Sequence, residues 1–266
     1  MYKGYRTISG DETFINESMC HMDLAEWTAN EYLLIHNTTT DITSELRFNG
    51  TDFVPLRLPR SSRVKAKNAL QRCALDILNN PDITVAAILG GYGSGKSYLT
   101  MRMALDAVLY KGTQQKVLGV REASGEGKSI GYLKGDFDEK TCLFFKPLEQ
   151  QLEGGEFELH SLIQRGQLET NIPFYMKGTT YNDTVIVVDE AEDLTEAQIR
   201  LIGTRVGQNS RIFLSGDYNQ SLINKTEKNP LVKMCDQLKG HKSFACIYLD
   251  EDVRSETSKL FANLFR

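Results

Sequence analysis

The stretch GGYGSGKS, residues 90–97, matches the pattern G-x-x-x-x-G-K-[ST] of a phosphate-binding loop. The apolar segment ITVAAIL at 83–89 precedes it and predicts a buried strand, and YLTMRMALDAVLY at 98–110 follows it and predicts a helix. A strand, a glycine-rich turn and a helix in this order are the context that the motif requires. The stretch therefore favours an α/β nucleotide-binding protein over a glycine-rich turn that matches by chance.

Each residue type in this loop has a chemical reason. Gly93 and Gly95 allow backbone N–H groups to curl around phosphate oxygens, and the following helix adds the positive end of its dipole. Lys96 is expected to reach the β- and γ-phosphates of ATP, and Ser97 to offer its hydroxyl to Mg²⁺. The residues expected to contact ATP here are Gly90, Gly91, Tyr92, Gly93, Ser94, Gly95, Lys96, Ser97 and Tyr98.

A second segment, TVIVVDEAE at 184–192, supplies acidic groups at the end of another apolar run. Asp189 is placed to hold Mg²⁺ through the water shell of the metal. Glu190 follows directly and can orient or deprotonate an attacking water, which favours hydrolysis over transfer to a small acceptor. An Asp-Glu pair after a strand is weak evidence alone, and it becomes strong beside the loop at 90–97.

The stretch RIFLSGDYNQ at 211–220 predicts a third strand followed by polar residues. Ligands of parallel sheets bind at the carboxyl ends of the strands, so the residues after Ser215 are expected near the γ-phosphate. Gln220 can hydrogen-bond both that phosphate and the attacking water. The alternative is an ordinary turn with Asp217 as a turn residue and a glutamine that faces solvent.

Strands and helices alternate along the rest of the chain after Pro59. Short apolar runs at 116–120, 184–188, 211–215 and 244–249 predict strands buried on both faces, and helices are predicted near 63–78, 97–111, 140–153, 158–166, 195–206, 230–239 and 255–265. Thr195 is expected to cap the helix that follows it. This alternation predicts a parallel sheet flanked by helices.

The first 58 residues differ in pattern from the α/β part. Residues 1–23 are polar and are expected to be irregular. Residues 24–58 predict a small β module, with a hairpin at Asn49-Gly50 because both residues tolerate positive φ. The predicted domains are therefore 1–23, 24–58 and a nucleotide-binding domain at 59–266.

Composition limits the class of protein. The chain has 266 residues with 41% hydrophobic and 25% charged residues, which is ordinary for a globular protein. No apolar run approaches the length of a membrane span and the N-terminus lacks a signal-peptide pattern, so we expect no membrane partner. Five scattered cysteines without a C-x-x-C pair predict reduced thiols and a cytoplasmic location. A net charge of -4 gives no bulk sign of nucleic-acid binding.

Taken in order, these motifs resemble those of the PhoH-like ATPases, which are relatives of superfamily 1 helicases with a single RecA-like core. The resemblance also includes VREASGEGKSIGYLKGDFDEK at 120–140, YMKGTTYND at 175–183 and GTRVG at 203–207, and it runs from about Asn68 to the C-terminus. It implies a RecA-like P-loop fold, ATP with Mg²⁺, and coupling to single-stranded RNA or DNA.

The resemblance implies roles for further residues. Asn68 and Gln71 resemble the glutamine that reads adenine, and their alternative is a solvated helix face. Arg121 lies where helicases hold a nucleic-acid strand. Arg254 is similar to the helicase arginine that contacts the γ-phosphate. Arg205 is a candidate arginine finger towards the ATP of a neighbouring subunit, and a surface ion pair is the alternative for each arginine.

The chain departs from the family pattern at two positions. Glu192 stands where the family usually has Gln, and Gly91 where it usually has Pro. An acid at 192 is expected to repel the triphosphate and to change how the site senses it. Longer members also carry an N-terminal PIN-type nuclease domain, and about 60 residues before the core are too few for one. Residues 24–58 are similar to the β segment that follows that nuclease.

The sequence therefore predicts an ATP hydrolase of the RNA helicase or remodelling type. Superfamily 1 motors use two RecA-like domains and this chain has one, so a homo-oligomer, such as a ring, is expected to complete the site. The alternative is a nucleotide-switched protein-binding or assembly factor with slow hydrolysis. A small-molecule kinase ranks below both, since no acceptor or lid motif is recognisable and Glu190 favours water.

Overall fold

The computed structural model describes residues 1–59, 64–122, 124–125, 128–129, 142, 144–221 and 228–253. The chain forms two compact units. The first contains Met1–Gly95 together with Met234–Arg266, and the second is the continuous segment Lys96–Lys233. The predicted domain borders at 23/24 and 58/59 stay a prediction.

A four-stranded sheet opens the first unit. Its elements are β1 (Tyr5–Gly10), α1 (Glu12–Cys20), a 3-10 turn (Leu24–Glu26), β2 (Tyr32–Asn37), β3 (Ile42–Phe48) and β4 (Phe53–Pro55). The strand order is β1-β2-β3-β4, with β1 parallel to β2 and the other pairs antiparallel. The expectation that residues 1–23 are irregular is therefore wrong. Strand β1 gains its backbone hydrogen bonds from β2, and Asp11 caps α1 by accepting from Phe14 N.

The predicted hairpin at Asn49-Gly50 is present between β3 and β4. Gly50 has φ 103°, a value that suits glycine, and Asn49 Oδ1 accepts from the backbone N–H groups of Thr51 and Asp52. Trp27, Phe48 and Phe53 pack together beneath this turn with edge-to-face and tilted ring geometry. The small module therefore has an aromatic core of its own.

The remainder of the first unit contains α2 (Ala69–Asn79), β5 (Val85–Gly90) and β12 (Phe244–Leu249), with β5 parallel to β12. The small sheet is joined to α2 at the buried Asp76, which accepts from Tyr32 Oη at 2.7 Å and pairs with Arg47 Nε at 2.9 Å. The segment before β1 lies along β12. Lys3 O accepts from Tyr248 N, and a side chain at Gly4 would meet Cys246 O at 1.7 Å.

The second unit is built around four parallel strands in the order β11-β10-β6-β9. Its elements are α3 (Lys96–Leu105), a π turn (Asp106–Tyr110), β6 (Lys116–Val120), β7 (Ser124–Gly125), β8 (Lys128–Ser129), a 3-10 turn (Lys146–Gln151), α4 (Gly155–Gln164), β9 (Leu168–Asn171), a 3-10 turn (Pro173–Met176), β10 (Thr184–Val188), a 3-10 turn (Ala191–Asp193), α5 (Glu196–Gly203), β11 (Arg211–Gly216) and a 3-10 turn (Tyr218–Gln220). Helix α6 (Pro230–Leu238) follows.

Six parallel strands with flanking helices, preceded by a small sheet, confirm the predicted RecA-like α/β P-loop fold. Strands β6, β10 and β12 coincide with the predicted apolar runs because their residues are buried almost throughout. The capping box at Thr195 and Gln198 is present at the start of α5. The helix predicted at 255–265 and most of the segment 120–140 lie outside the described residues.

Candidate functional site

The phosphate loop follows β5 in the first unit. Gly90, Gly93 and Gly95 all have positive φ, at 154°, 72° and 88°. Ser94 Oγ donates to Gly91 O at 2.9 Å, and Val253 N donates to Gly93 O at 3.1 Å, so the loop is held from within and from one side. A succession of such glycines turns backbone N–H groups towards one point, which suits the binding of phosphate.

Other loop residues differ in exposure. A side chain added at Gly91 would meet nothing within 4 Å, so the departure from Pro at this position creates no packing defect. Tyr92 is exposed, and so is Tyr98 in the second unit. Lys96 is the first residue of α3, where its backbone N–H stands at the positive end of the helix dipole.

Gln71 supports the loop from α2. Its Nε2 donates to Ser94 O at 2.9 Å, and its Oε1 accepts from Lys67 N at 2.8 Å. Asn68 caps the same helix by accepting from Gln71 N at 2.8 Å, while its Nδ2 donates to Glu251 at 2.9 Å. Gln71 is buried, so the alternative of a solvated helix face does not hold for it. Reading of adenine by Asn68 and Gln71 stays a prediction.

The second unit carries the residues predicted to hold Mg²⁺. Ser97 Oγ donates to Asp189 Oδ1 at 2.8 Å, although 92 residues separate the two along the chain. Ser215 Oγ donates to the same carboxylate oxygen at 2.9 Å. A carboxylate and a hydroxyl in direct contact are the hard oxygen donors that Mg²⁺ prefers, so these residues fit the predicted metal.

Glu190 follows Asp189 in a left-handed backbone conformation, with φ 52° and ψ 45°. Such a conformation costs a residue other than glycine about 1–3 kcal/mol, and it is often found at functional sites. The Glu190 carboxylate pairs with Arg121 Nη2 at 2.7 Å, and both side chains are more than a third exposed. The predicted catalytic glutamate and the predicted nucleic-acid arginine are therefore in direct contact.

Glu192 is buried on the 3-10 turn Ala191–Asp193 that follows Glu190, with 1% of its surface exposed. Burial and, to a smaller extent, the nearby Glu190 carboxylate together raise the pKa of its carboxyl to about 8. A carboxyl that is neutral below this pH resembles glutamine, the residue usual in the family at this position. The expected repulsion between Glu192 and a triphosphate is therefore weak at neutral pH.

Glu192 also links the turn after β10 to the turn after β11. Its backbone carbonyl accepts from Ser221 Oγ and from Asn229 Nδ2, both at 2.9 Å. A side chain added at Gly216 would lie 2.5 Å from Glu192 Oε2. Because Leu231 Cδ2 would also lie 2.8 Å from that added side chain, the packing at this point favours glycine at 216.

Gln220 lies on the 3-10 turn that follows β11. Its Nε2 hydrogen-bonds Asp217 Oδ2, and its backbone N donates to Asp217 O at 2.8 Å. Asp217 is buried and also caps this turn by accepting from Asn219 N. Register pairs Val188 with Leu214, so the turn leaves the same edge of the sheet as Asp189. Contact between Gln220 and the γ-phosphate stays a prediction.

Arg205 lies at the amino ends of the strands of the second unit, opposite the carboxyl ends that carry the acidic groups. Its carbonyl accepts from Tyr181 N at 2.9 Å, and both residues precede strands whose carboxyl ends carry the acidic groups. Its Nη2 donates to Thr204 Oγ1 at 3.3 Å. Within the second unit, Arg205 is therefore not grouped with Asp189. Arg254 falls outside the described residues.

A cavity of about 180 Å³ adjoins the Ser97–Asp189 contact. Its walls are mostly apolar, and Arg121 is its basic residue; the lining residues are Ser97, Tyr98, Met101, Arg121, Phe144, Pro147, Leu148 and Asp189. Tyr98 thus lines this cavity, beside the two residues predicted to hold the metal.

Two side-chain contacts of the site were not predicted from the sequence. Ser215 donates a hydrogen bond to Asp189 and so positions its carboxylate. The two residues are neighbours because each directly follows one residue of the pair Val188 and Leu214, and this strand register is the signal that would have found the contact. The Arg121–Glu190 pair joins residues 69 apart along the chain, and no local pattern predicts it.

A phosphate loop between a buried strand and a helix, with a strand-end aspartate bonded to a serine of the loop, defines a P-loop nucleotide-binding protein. The family model described as PhoH-like protein matches residues 63–266, and the chain therefore belongs to the PhoH-like family. Membership and fold together indicate nucleotide binding.

Individual relatives agree with this assignment. A PhoH-like protein of Bacillus subtilis is 31% identical over 194 residues, which is 72% of this chain and 60% of that protein. Protein PhoH2 of Thermobispora bispora is 29% identical over 219 residues, 79% of this chain and 50% of its own length. Protein PhoH of Escherichia coli K12 is 27% identical over 67% of this chain and 51% of its own length. The chain thus spans about half the length of these relatives.

Proposed function

We propose that this protein hydrolyses ATP with Mg²⁺ and couples hydrolysis to a single-stranded nucleic acid. The observation that carries the proposal is the contact of Ser97 with Asp189, with Glu190 next in the chain at the same strand end. Ser97 and Asp189 would hold the metal, which supplies positive charge to the β- and γ-phosphates. A cytoplasmic location is part of the same proposal.

Each residue of the proposed ATP site then has a separate role. Backbone N–H groups at Gly93 and Gly95 bind phosphate oxygens, and Lys96 neutralises charge on the β- and γ-phosphates. Ser215 fixes the orientation of the Asp189 carboxylate through its hydrogen bond. Glu190 orients the attacking water and accepts its proton, and Gln220 donates to the γ-phosphate from the neighbouring strand end.

The ion pair of Arg121 with Glu190 gives hydrolysis a point of control. While paired at 2.7 Å, one Glu190 oxygen is engaged by the guanidinium in place of a water molecule. A nucleic-acid phosphate that binds Arg121 competes with Glu190 for the same N–H donors. Arrival of the nucleic acid therefore frees the carboxylate for catalysis.

The test is an ATPase assay with and without single-stranded RNA or DNA. We expect turnover that rises with nucleic acid and falls by about 100-fold or more in Glu190→Gln, because a positioned general base contributes that much. Glu196→Gln is the matched control, since Glu196 is an exposed acid on α5 that pairs with Lys233. Equal rates for Glu190→Gln and the parent would refute the hydrolase.

A nucleotide-switched assembly factor is the second candidate. The observation that favours it is a set of exposed apolar side chains on the N-terminal part of the first unit: Phe14, Leu24 and Ile42. Such residues suit a protein partner better than a nucleic acid. If this candidate is correct, Ile42→Lys should abolish partner binding and leave the slow basal ATP hydrolysis unchanged.

A further inference from the structure

An exposed aromatic pair stands on the 3-10 turn Pro173–Met176, which follows β9. Phe174 and Tyr175 are 66% and 68% exposed, and their ring centroids are 5.3 Å apart with an interplanar angle of 80°. Two large aromatic side chains exposed side by side form a contiguous apolar patch, and such patches mark interaction sites more often than single exposed residues do. Catalysis as proposed above uses neither residue.

The turn is anchored from below, so the two rings are held outwards. Pro173 and Met176, on either side of the pair, are buried. Asn171 closes the start of the turn, because its Oδ1 accepts from Ile172 N at 2.9 Å and its Nδ2 donates to Tyr181 Oη at 3.1 Å. A fixed position lowers the entropy cost of binding a flat ligand on the rings.

The position of the turn relates it to the proposed catalytic edge. Register pairs Val120 of β6 with Asn171 of β9, so Arg121 and Ile172 leave the sheet side by side. The turn also contacts α5, the helix that follows the Glu190 segment. The aromatic pair thus lies at the edge of the second unit where Arg121 meets Glu190.

Two cationic side chains lie in this part of the second unit. Lys177 Nζ lies 5.4 Å from the centroid of Phe174, and the Arg121 guanidinium is half exposed on the adjacent strand end. Glu122, the acid next to Arg121, accepts a hydrogen bond from Gln198. Stacking faces beside cationic groups are the combination that binds bases together with their phosphates.

We propose that Phe174 and Tyr175 form a stacking platform for the bases of a single-stranded nucleic acid, whose backbone runs past Lys177 towards Arg121. This inference rests on the proposed function, since it assigns the surface on which that nucleic acid binds. The platform reads the flat face common to every base, so it accepts RNA and DNA of any sequence.

Binding is tested with the full chain and a fluorescent single-stranded oligonucleotide of about twelve residues, a length within the usual range of such sites. Fluorescence anisotropy should show that Phe174→Ala/Tyr175→Ala raises Kd by about tenfold or more. Phe174→Leu/Tyr175→Leu should lose nearly as much, because leucine keeps apolar area and lacks a stacking face. Phe174→Tyr/Tyr175→Phe should restore parental affinity.

Phe157→Ala is the matched control, since Phe157 is an exposed aromatic residue on α4, at 84%. We expect it to bind as the parent does. Basal ATPase of the Phe174→Ala/Tyr175→Ala variant should equal that of the parent, which separates loss of the platform from loss of the catalytic site. Parental affinity of that variant, or of the leucine variant, overturns the platform. No binding by the parent overturns it too, whereas hydrolysis of ATP would then still stand.

Discussion

Gln220 has a defined partner in the structure, the carboxylate of Asp217. If it senses the γ-phosphate, Gln220→Ala should slow ATP hydrolysis by about 100-fold, the usual cost of removing one donor to a transition state. Affinity for ATP should change little, since the loop at 90–97 supplies most phosphate contacts. Single-turnover hydrolysis and equilibrium binding of a fluorescent ATP analogue measure the two quantities separately.

Asn219→Ala provides the comparison for this variant. Asn219 stands on the same turn, is exposed, and contributes its backbone N–H to Asp217. We expect near-parental hydrolysis from it. If Gln220→Ala weakened binding and hydrolysis to the same degree, the glutamine would be a ground-state ligand and not a sensor.

Arg121 gives the second test at the residue scale. Exposed ion pairs are worth about 0.2–1 kcal/mol, so Arg121→Ala should raise basal ATPase by about twofold to fivefold while it abolishes stimulation by nucleic acid. Arg165→Ala, at an exposed position after α4, should change neither rate. A lower basal rate in Arg121→Ala would mean that the arginine assists catalysis directly.

At the scale of elements, Glu192 joins the turn after β10 to the turn after β11. Its folded pKa of about 8 lies above the ordinary 4.5, so its contribution to stability is complete below pH 4.5 and is lost as the pH rises through about 8. Glu192→Gln removes this titration. The free energy of unfolding of the variant, relative to the parent, should therefore increase between pH 4.5 and about 8.

Urea unfolding across that pH interval measures the difference. Glu196→Gln serves again as the control: the salt bridge with Lys233 lowers the pKa of Glu196, so this group titrates below the interval and its variant should differ from the parent by a constant amount across it. A constant difference between Glu192→Gln and the parent across the interval would show that Glu192 is ionised in the folded protein.

Elements that coincide with an apolar run or a short motif were predictable from the sequence. Elements that exist because they pair with a strand elsewhere in the chain were not. Strands β6 and β10 stand within apolar runs, and the loop at 90–97 is a single motif. Strand β9, with the sequence LETN, is short and half-buried at the end of the sheet, so it carries no apolar run. Strand β1 is polar for a similar reason and exists through its pairing with β2.

The same physical distinction applies to the site. Residue types at Lys96, Ser97, Asp189 and Glu190 follow from phosphate and metal chemistry, so their pattern could be recognised in advance. The partners of Glu190 and the neutral state of Glu192 depend on burial and on side chains far away in sequence. Only the folded chain supplies those surroundings.

At the scale of the whole molecule, Arg205 bears on assembly. It lies at the opposite strand ends from Asp189 in the second unit, which suits a role towards a neighbouring subunit. If Arg205 is an arginine finger in trans, Arg205→Ala and Glu190→Gln should each be inactive alone. A mixture of the two should regain activity, because some interfaces then combine an intact glutamate with an intact arginine.

The ATPase rate of the mixture, at several ratios of the two variants, measures this complementation. Arg165→Ala mixed with Glu190→Gln gives the rate expected from dilution alone. A mixture of Arg205→Ala and Glu190→Gln as inactive as its components would place the arginine outside any shared site.

In the described residues, no helix is both long and apolar enough to cross a membrane. The chain spans about half the length of the relatives that it matches.

The division of the chain between the two units has a consequence for synthesis. The second unit is one continuous segment, Lys96–Lys233, so all of it is translated before strand β12. The first unit needs β12 beside β5, and Asn30 donates to carbonyls at Lys242 and Phe244. These contacts of the N-terminal part can therefore form only after β12 has been translated. We expect the interval before then to be when the nascent chain depends most on chaperones.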